Sequence, residues 1–254
     1  MRKLNVPALL DPTHLSLLLL AIAAIAFLYS SVGHAGASGY IAVMTLFGLA
    51  PTVIRPTALL LNIFVAVIGS LQFAIAGHFR WRLFWPFAVL SVPAAYLGGN
   101  LQLPVTALRI LIGIVLFFSA LRLFFRRQDP ASTRAPAPAA AITLGAAIGL
   151  LSGLTGTGGG IFLTPILLFF KWARIREAAA VSVLFILLNS IAGLAGYFSA
   201  SGLVPSLGLI LAAAAIVGGA LGSYFGSRRF PAHRISLALA IVLIIAGVKL
   251  IFTR

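Results

Sequence analysis

Residues 33–39 read GHAGASG and residues 153–160 read GLTGTGGG. Glycine lets the backbone approach a neighbour closely and turn where other residues cannot, so each cluster predicts a break in the chain's regular structure. An uncharged run follows each break, 13 residues at 38–50 and 12 at 159–170. At 1.5 Å per residue such a helix covers roughly 20 Å of a hydrocarbon layer about 30 Å thick. Neither run is long enough to span.

The two breaks belong to a longer internal match. Shifting the chain by 120 positions superposes Gly33, Gly36, Gly39 and Ile41 on Gly153, Gly156, Gly159 and Ile161. The same shift brings Ala58 onto Ala178, Ser70 onto Ser190, and Gly98-Gly99 onto Gly218-Gly219. Shared spacing across all these positions predicts a duplicated unit. Short, glycine-interrupted segments at matching places in two halves are the sequence sign of a transport site near the middle of a bilayer.

Composition agrees. Of 254 residues 61% are hydrophobic and 8% charged, whereas an ordinary soluble domain carries about a quarter charged residues, so a bilayer is the expected solvent. Eighteen basic residues against three acidic ones give a net charge of +15. They lie in short clusters between apolar runs, as membrane loops require, and do not point to nucleic acid. The chain contains no cysteine, which removes disulfides and thiolate metal sites, and four scattered histidines make no metal cage. No cofactor is expected.

Ten apolar runs are present, at 15–32, 38–50, 57–77, 83–99 and 105–121, then at 139–154, 159–170, 178–200, 203–226 and 235–251, all uncharged but for Arg109 and Lys249. Between the two sets of five lies RRQDPASTRAPAP at 126–138, polar and with three prolines, which predicts an extended linker. The expected organisation is a first membrane repeat at 1–125, the linker, and a second repeat at 139–254. A cleaved leader ending near Ala35-Gly36-Ala37 is not expected, because Asp11 and Pro12 interrupt it and a similar run recurs in the second half.

Charge orients the halves. Lys171, Arg174 and Arg176 stand where the first half has Arg55 alone, whereas Arg80 and Arg82 match a stretch without any basic residue. If each half has one re-entrant hairpin and three spans, the second half is inverted. Twelve basic residues then share one side (Arg80, Arg82, Arg122, Arg126, Arg127, Arg134, Lys171, Arg174, Arg176, Arg228, Arg229 and Arg234) and six the other. Eight alternating helices would divide them ten to eight. The positive-inside rule selects the inverted reading, with the linker cytoplasmic and both termini outside. The expected fold class is therefore an all-α polytopic membrane protein of two inverted repeats, each a glycine-broken short helix pair plus three transmembrane helices.

A helix that starts at such a break directs unbonded N–H groups and the positive end of its dipole at the break, where a small anion can be held. The candidate substrate-binding residues are Gly36, Ser38 and Gly39 in the first half and Thr155, Gly156, Thr157, Gly158 and Gly159 in the second. Asn62 and Asn189, in the helices that follow, either line a path or link helices. Packing alone would equally account for Gly36, Gly39, Gly156 and Gly160. His34 is a candidate proton carrier, as the one titratable side chain inside either break, or a satisfied structural histidine. Ser70, Ser182 and Ser190 are expected to bond back to their own helices, Glu177 to cap one, and Arg55 to snorkel to the interface.

With its glycine breaks GHAGASG and GTGGG, Thr164-Pro165 in the second short helix and an A-x-x-S helix after it, the chain resembles the TauE/SafE sulfite exporter family over nearly its whole length. The first copy departs from the family in having His34 and Ala37-Ser38 where a fuller glycine run is common. The resemblance implies secondary transport of small anions, such as sulfite, sulfonates and organic acids, across a bacterial inner membrane. The partners then are a small anionic substrate and membrane lipid, and a homo-oligomer is compatible with the sequence. No ATP-binding G-x-x-x-x-G-K-[ST] loop occurs. Two rivals stand beside transport: an intramembrane serine protease using Ser38 of GASG with His78 or His233 as base, and a structural membrane subunit.

Overall fold

The computed structural model describes residues 12–31, 33–124, 132–201, 206–228 and 248. Residues 126–131 of the linker, all but one residue of the tenth run, and Asp11, Asp129, Arg229, His233 and Arg234 lie outside the described residues, as do both termini. Every described element is a helix: α1 Pro12–Ser30, α2 Ala37–Leu46, α3 Pro51–Ile75, α4 Trp81–Asn100, α5 Val105–Phe124, α6 Pro138–Thr155, α7 Gly160–Phe169, α8 Ile175–Ser201 and α9 Ser206–Arg228. Five of them, α1, α3, α6, α8 and α9, are long and apolar enough to cross a membrane. The short helices α2 and α7 have 10 residues each, so each reaches about 15 Å, half of a hydrocarbon core.

Each short helix turns back on the helix before it. The Lys171 carbonyl, beyond the end of α7, accepts from the Arg134 N–H ahead of α6 at 2.9 Å. That bond puts the base of both helices at one end, with the second glycine cluster at the tip. In the first half, α2 folds along α1: Gly39 packs on Ile25 and Tyr29, and the Ser38 hydroxyl donates to the Tyr29 hydroxyl at 3.0 Å.

Glycines set the long-helix contacts and reveal their directions. Gly145, Gly149 and Gly153 of α6 lie against the carbonyls of Phe87, Ser91 and Ala95 of α4, where a Cβ would overlap each oxygen. Gly218, Gly222 and Gly226 of α9 do the same against Ala23, Phe27 and Ser31 at α1. Both pairs therefore run parallel, and such glycine-lined crossings bring backbones together where apolar lipid supplies no hydrophobic drive. α4 also runs parallel to α8, with Ser91 meeting Asn189 and Tyr96 meeting Gly196. α3 runs parallel to α9, with Leu60 meeting Gly208 and Gln72 meeting Ala220. α3 and α8 run antiparallel, since Leu59 meets Gly193, Asn62 meets Ser190 and Gly69 meets Val183. Exchanging α1, α3 and α4 for α6, α8 and α9 converts the α4–α6 pair into α1–α9 and the α4–α8 pair into α3–α9, and returns α3–α8 to itself.

Candidate functional site

Both breaks are closed by left-handed glycines. Gly33 ends α1, its N–H bonded to the Ser30 carbonyl and that of His34 to the Tyr29 carbonyl, which is the paired bonding of a glycine-terminated helix. Gly36, at φ +104°, then opens α2. In the second break Gly156, Gly158 and Gly159 all have positive φ, and Gly159 opens α7. Backbone bonding resumes only at Tyr40 N–H to Gly36 O, and at Phe162 and Leu163 N–H to Gly159 O. The first-turn N–H groups of α2 and α7 thus have no partner within their helices, and the positive ends of both helix dipoles face the breaks.

One face of α8 connects the two breaks, because Ser182, Ile186 and Ser190 recur every four residues. Ser182 accepts from the Thr164 hydroxyl at 2.7 Å, and Thr164 Oγ1 meets His34 Nε2 at 3.1 Å. Since the Thr164 proton is given to Ser182, His34 Nε2 is the donor in that second bond. Ser190 accepts from Asn62 Nδ2 at 3.3 Å. Gly158 is seated on this second pair: a Cβ there would lie 2.7 Å from Ile186 Cγ2, 2.8 Å from Asn62 Nδ2 and 3.0 Å from Ser190 Oγ. Thr164 lies four residues beyond Gly160, about 6 Å along α7, so His34 of the first break reaches close to the second.

Each break also has a buried polar atom with no partner. At the first it is the Tyr40 hydroxyl, which lies where a Gly36 side chain would begin. At the second it is Asn62 Oδ1. An unmet polar atom out of water costs about 1–3 kcal/mol, and these are two of eight such side-chain atoms among the described residues.

The sequence-derived residues fall into distinct roles. Gly36 lies at the unmet Tyr40 hydroxyl, and Gly158 lies against Asn62 Nδ2, on the amide whose oxygen is the other unmet atom. Gly159 packs on Ile148 and Phe185, and Gly156 on the backbone of Arg55. Gly39 and Gly160 have ordinary helical backbone and fit against Ile25, Tyr29 and Ile186, which makes them packing glycines. Thr155 bonds back to the Leu151 carbonyl at 2.7 Å and meets Thr157 at 3.0 Å, so both hydroxyl protons are used locally. Asn189 is committed elsewhere, accepting from Ser91 at 2.6 Å and donating to the Phe185 carbonyl at 2.9 Å. Glu177 caps α8 by accepting the Arg174 N–H at 3.0 Å, and it pairs with Arg80 at 3.3 Å.

Two expectations are corrected. Ser182 and Ser190 accept bonds from Thr164 and Asn62 rather than turning back on their own helix, because each faces another helix, and the buried Ser70 hydroxyl does not bond back either, having no partner among the described residues. Arg55 does not snorkel. It is 3% exposed, and its guanidinium donates to the carbonyls of Gly153 at 2.9 Å, Leu101 at 3.1 Å, Gly98 at 2.5 Å and Gly99 at 2.6 Å, 5.5 Å from the centre of the Tyr197 ring. Because α4 and α6 run parallel, their C-terminal carbonyls converge, and one arginine satisfies several of them at once. Arg55 has no carboxylate partner among the described residues, so a positive charge is buried directly beneath Gly156. Among the described residues Glu177 is the only acidic one, and it lies at the start of α8, away from the breaks.

Comparison with known proteins decides the family. The family model for the sulfite exporter TauE/SafE matches residues 17–250. The chain belongs to the TauE/SafE family. It is similar to a probable membrane transporter protein of Sinorhizobium fredii, 39% identical over 240 residues that cover 92% of this chain and 97% of the relative. It is also similar to a probable membrane transporter protein of Methanocaldococcus jannaschii, 30% identical over 190 residues, 70% of this chain and 71% of that one. No solved structure matches.

As a TauE/SafE protein the chain is a membrane transporter and not an enzyme. The geometry at Ser38 agrees: its hydroxyl donates to Tyr29, and no base activates it among the described residues. His34 is engaged with Thr164, and His233 lies outside the described residues. A purely structural subunit is likewise superseded by the transporter relatives.

Proposed function

We propose that this TauE/SafE protein is a secondary transporter of small anions, sulfur oxyanions or organosulfonates, working by alternating access. The observation that carries this reading is the pair of breaks. Each offers unbonded first-turn N–H groups at the positive end of a short helix, beside one unmet buried polar side chain. The N–H groups and the Tyr40 hydroxyl are donors, which suits an anion, since it accepts several hydrogen bonds and favours a helix N-terminus. The buried Arg55 charge adds a favourable field without a lysine in the pathway.

The two halves are repeats of inverted topology, 1–125 and 139–254 around the linker at 126–138. Support comes from the antiparallel course of α3 against α8, from α1 running with α9 while α4 runs with α6, and from the division of basic residues. The linker is cytoplasmic, the termini are outside, and the membrane is the bacterial inner membrane. Two hairpins then enter from opposite faces with one anion between their tips, and the halves rock to expose it alternately. His34, hydrogen-bonded across the halves to Thr164, is the candidate proton carrier.

Uptake of radiolabelled sulfite into proteoliposomes tests the reading. Anion-dependent counterflow that Gly158→Leu abolishes is the expected result. Flux of the same size in wild type and empty liposomes, with any anion of the class, would overturn it.

A further inference from the structure

Away from the breaks, at the end where α4, α6 and α8 begin, lies a cleft of about 230 Å³ lined by Arg80, Arg82, Leu83, Thr133, Arg134 and Trp172 among others. Three guanidiniums share one carboxylate. Glu177 is held by Arg80 and the Arg174 N–H, while Arg82 and Arg134 meet no acidic group among the described residues. The cleft is built rather than incidental, since the Arg134 N–H bond to the Lys171 carbonyl fastens its linker wall to the end of α7.

Its surroundings place it at a bilayer surface. Trp81, Trp85 and Val89 are all exposed and recur every four residues, so an apolar stripe climbs α4 from the rim of the cleft. Exposed Phe169 and Phe170 flank the other side. Exposed indoles and phenyl rings beside arginines are the composition of a headgroup layer. A basic recess between membrane helices at that level suits a lipid phosphate, with the acyl chains following the apolar stripe.

We infer that this cleft binds the phosphodiester headgroup of an anionic phospholipid, held by Arg82 and Arg134. The ligand's charge balances the two guanidiniums that meet no acidic group among the described residues, and its chains cover the stripe of α4. The chemistry it shares with a free phosphate ion is the bidentate arginine contact; the distinguishing feature is the apolar stripe, which a free ion does not use.

The test uses the full chain, purified in detergent and stripped of lipid, with binding followed by native mass spectrometry and thermal stability. Probes are tetraoleoyl cardiolipin, dioleoyl phosphatidylglycerol, dioleoyl phosphatidylcholine and inorganic phosphate. The first two are expected to bind and stabilise, and Arg82→Gln combined with Arg134→Gln to weaken them about 30-fold, at about 1 kcal/mol per arginine near the surface. Arg176→Gln, exposed at the start of α8 and outside the cleft, is expected to leave binding within about threefold. Both arginines of the pair are exposed, so an unchanged melting temperature without lipid verifies the fold of the double variant. Equal binding by wild type and double variant, equal weakening by Arg176→Gln, or displacement of the lipids by millimolar inorganic phosphate would each overturn the inference.

Discussion

The two glycine breaks share a plan and differ in what surrounds them. In the first, one left-handed glycine at Gly36 opens the short helix, and side chains dominate: His34 reaches across to Thr164, Ser38 to Tyr29, and the Tyr40 hydroxyl is unmet. In the second, three left-handed glycines leave the backbone bare, and Arg55 is buried beneath. Position 175, which corresponds to Arg55 after the 120-residue shift, is Ile175. On the proposed reading, duplication kept the hairpin while one copy came to bind through side chains and the other through backbone. The contrast locates the positive charge and the titratable group in the same half, near opposite breaks.

Losing Arg55 is the most severe way to break the contrast. Arg55→Leu leaves four converging helix-end carbonyls without donors, and we expect a loss of about 3–5 kcal/mol, measured as failure to recover monodisperse protein in detergent. Arg55→Lys keeps the charge but not the fork of donors, and is expected to fall between, with a lowered melting temperature.

Next comes Gly158→Leu. A side chain there needs φ near +73° and a Cβ within 3.0 Å of Ile186, Asn62 and Ser190, so flux is expected to vanish. Gly36→Ala also needs a positive φ, near +104°, but its Cβ meets only the end of the Tyr40 side chain and it adds a single methyl group, so it is expected to reduce flux less. Comparable losses from both would contradict a tighter second break.

Tyr40→Phe sharpens the comparison. The hydroxyl it removes bonds nothing, so the variant is expected to be as stable as wild type or slightly more so, yet to bind anion about tenfold more weakly. Loss of stability with unchanged binding would remove Tyr40 from the site.

The mildest change is His34→Gln, which retains a donor toward Thr164. Flux at neutral pH is expected to fall by no more than about threefold, with its pH dependence flattened. An unaltered pH profile would make His34 a structural link only.

The sequence made the breaks, the short helices and the all-helical membrane fold legible because these depend on local spacing: glycine clusters, run lengths and a 120-residue recurrence. Arg55 was illegible for a physical reason. Its partners are backbone carbonyls 43 to 98 residues away, and backbone carries no sequence signature. Tyr40 looked like one more aromatic in an apolar run. Asn62 and Asn189 appeared equivalent as lone amides, and only packing separates the one facing Gly158 from the one tied to Ser91. The parallel crossings did leave a sign, since Gly145, Gly149 and Gly153, like Gly218, Gly222 and Gly226, recur every four residues.

That the two breaks hold one anion between them is tested most directly by thermal stabilisation of the purified protein against sulfite, thiosulfate, sulfonates, sulfate and small carboxylates, repeated with Tyr40→Phe and Asn62→Leu. A ligand that binds only the folded state raises the melting temperature by mass action. The expected result is a shift with a sulfur oxyanion or sulfonate that either substitution, one at each break, diminishes. A shift that survives both substitutions, or none with any anion, would contradict a shared site.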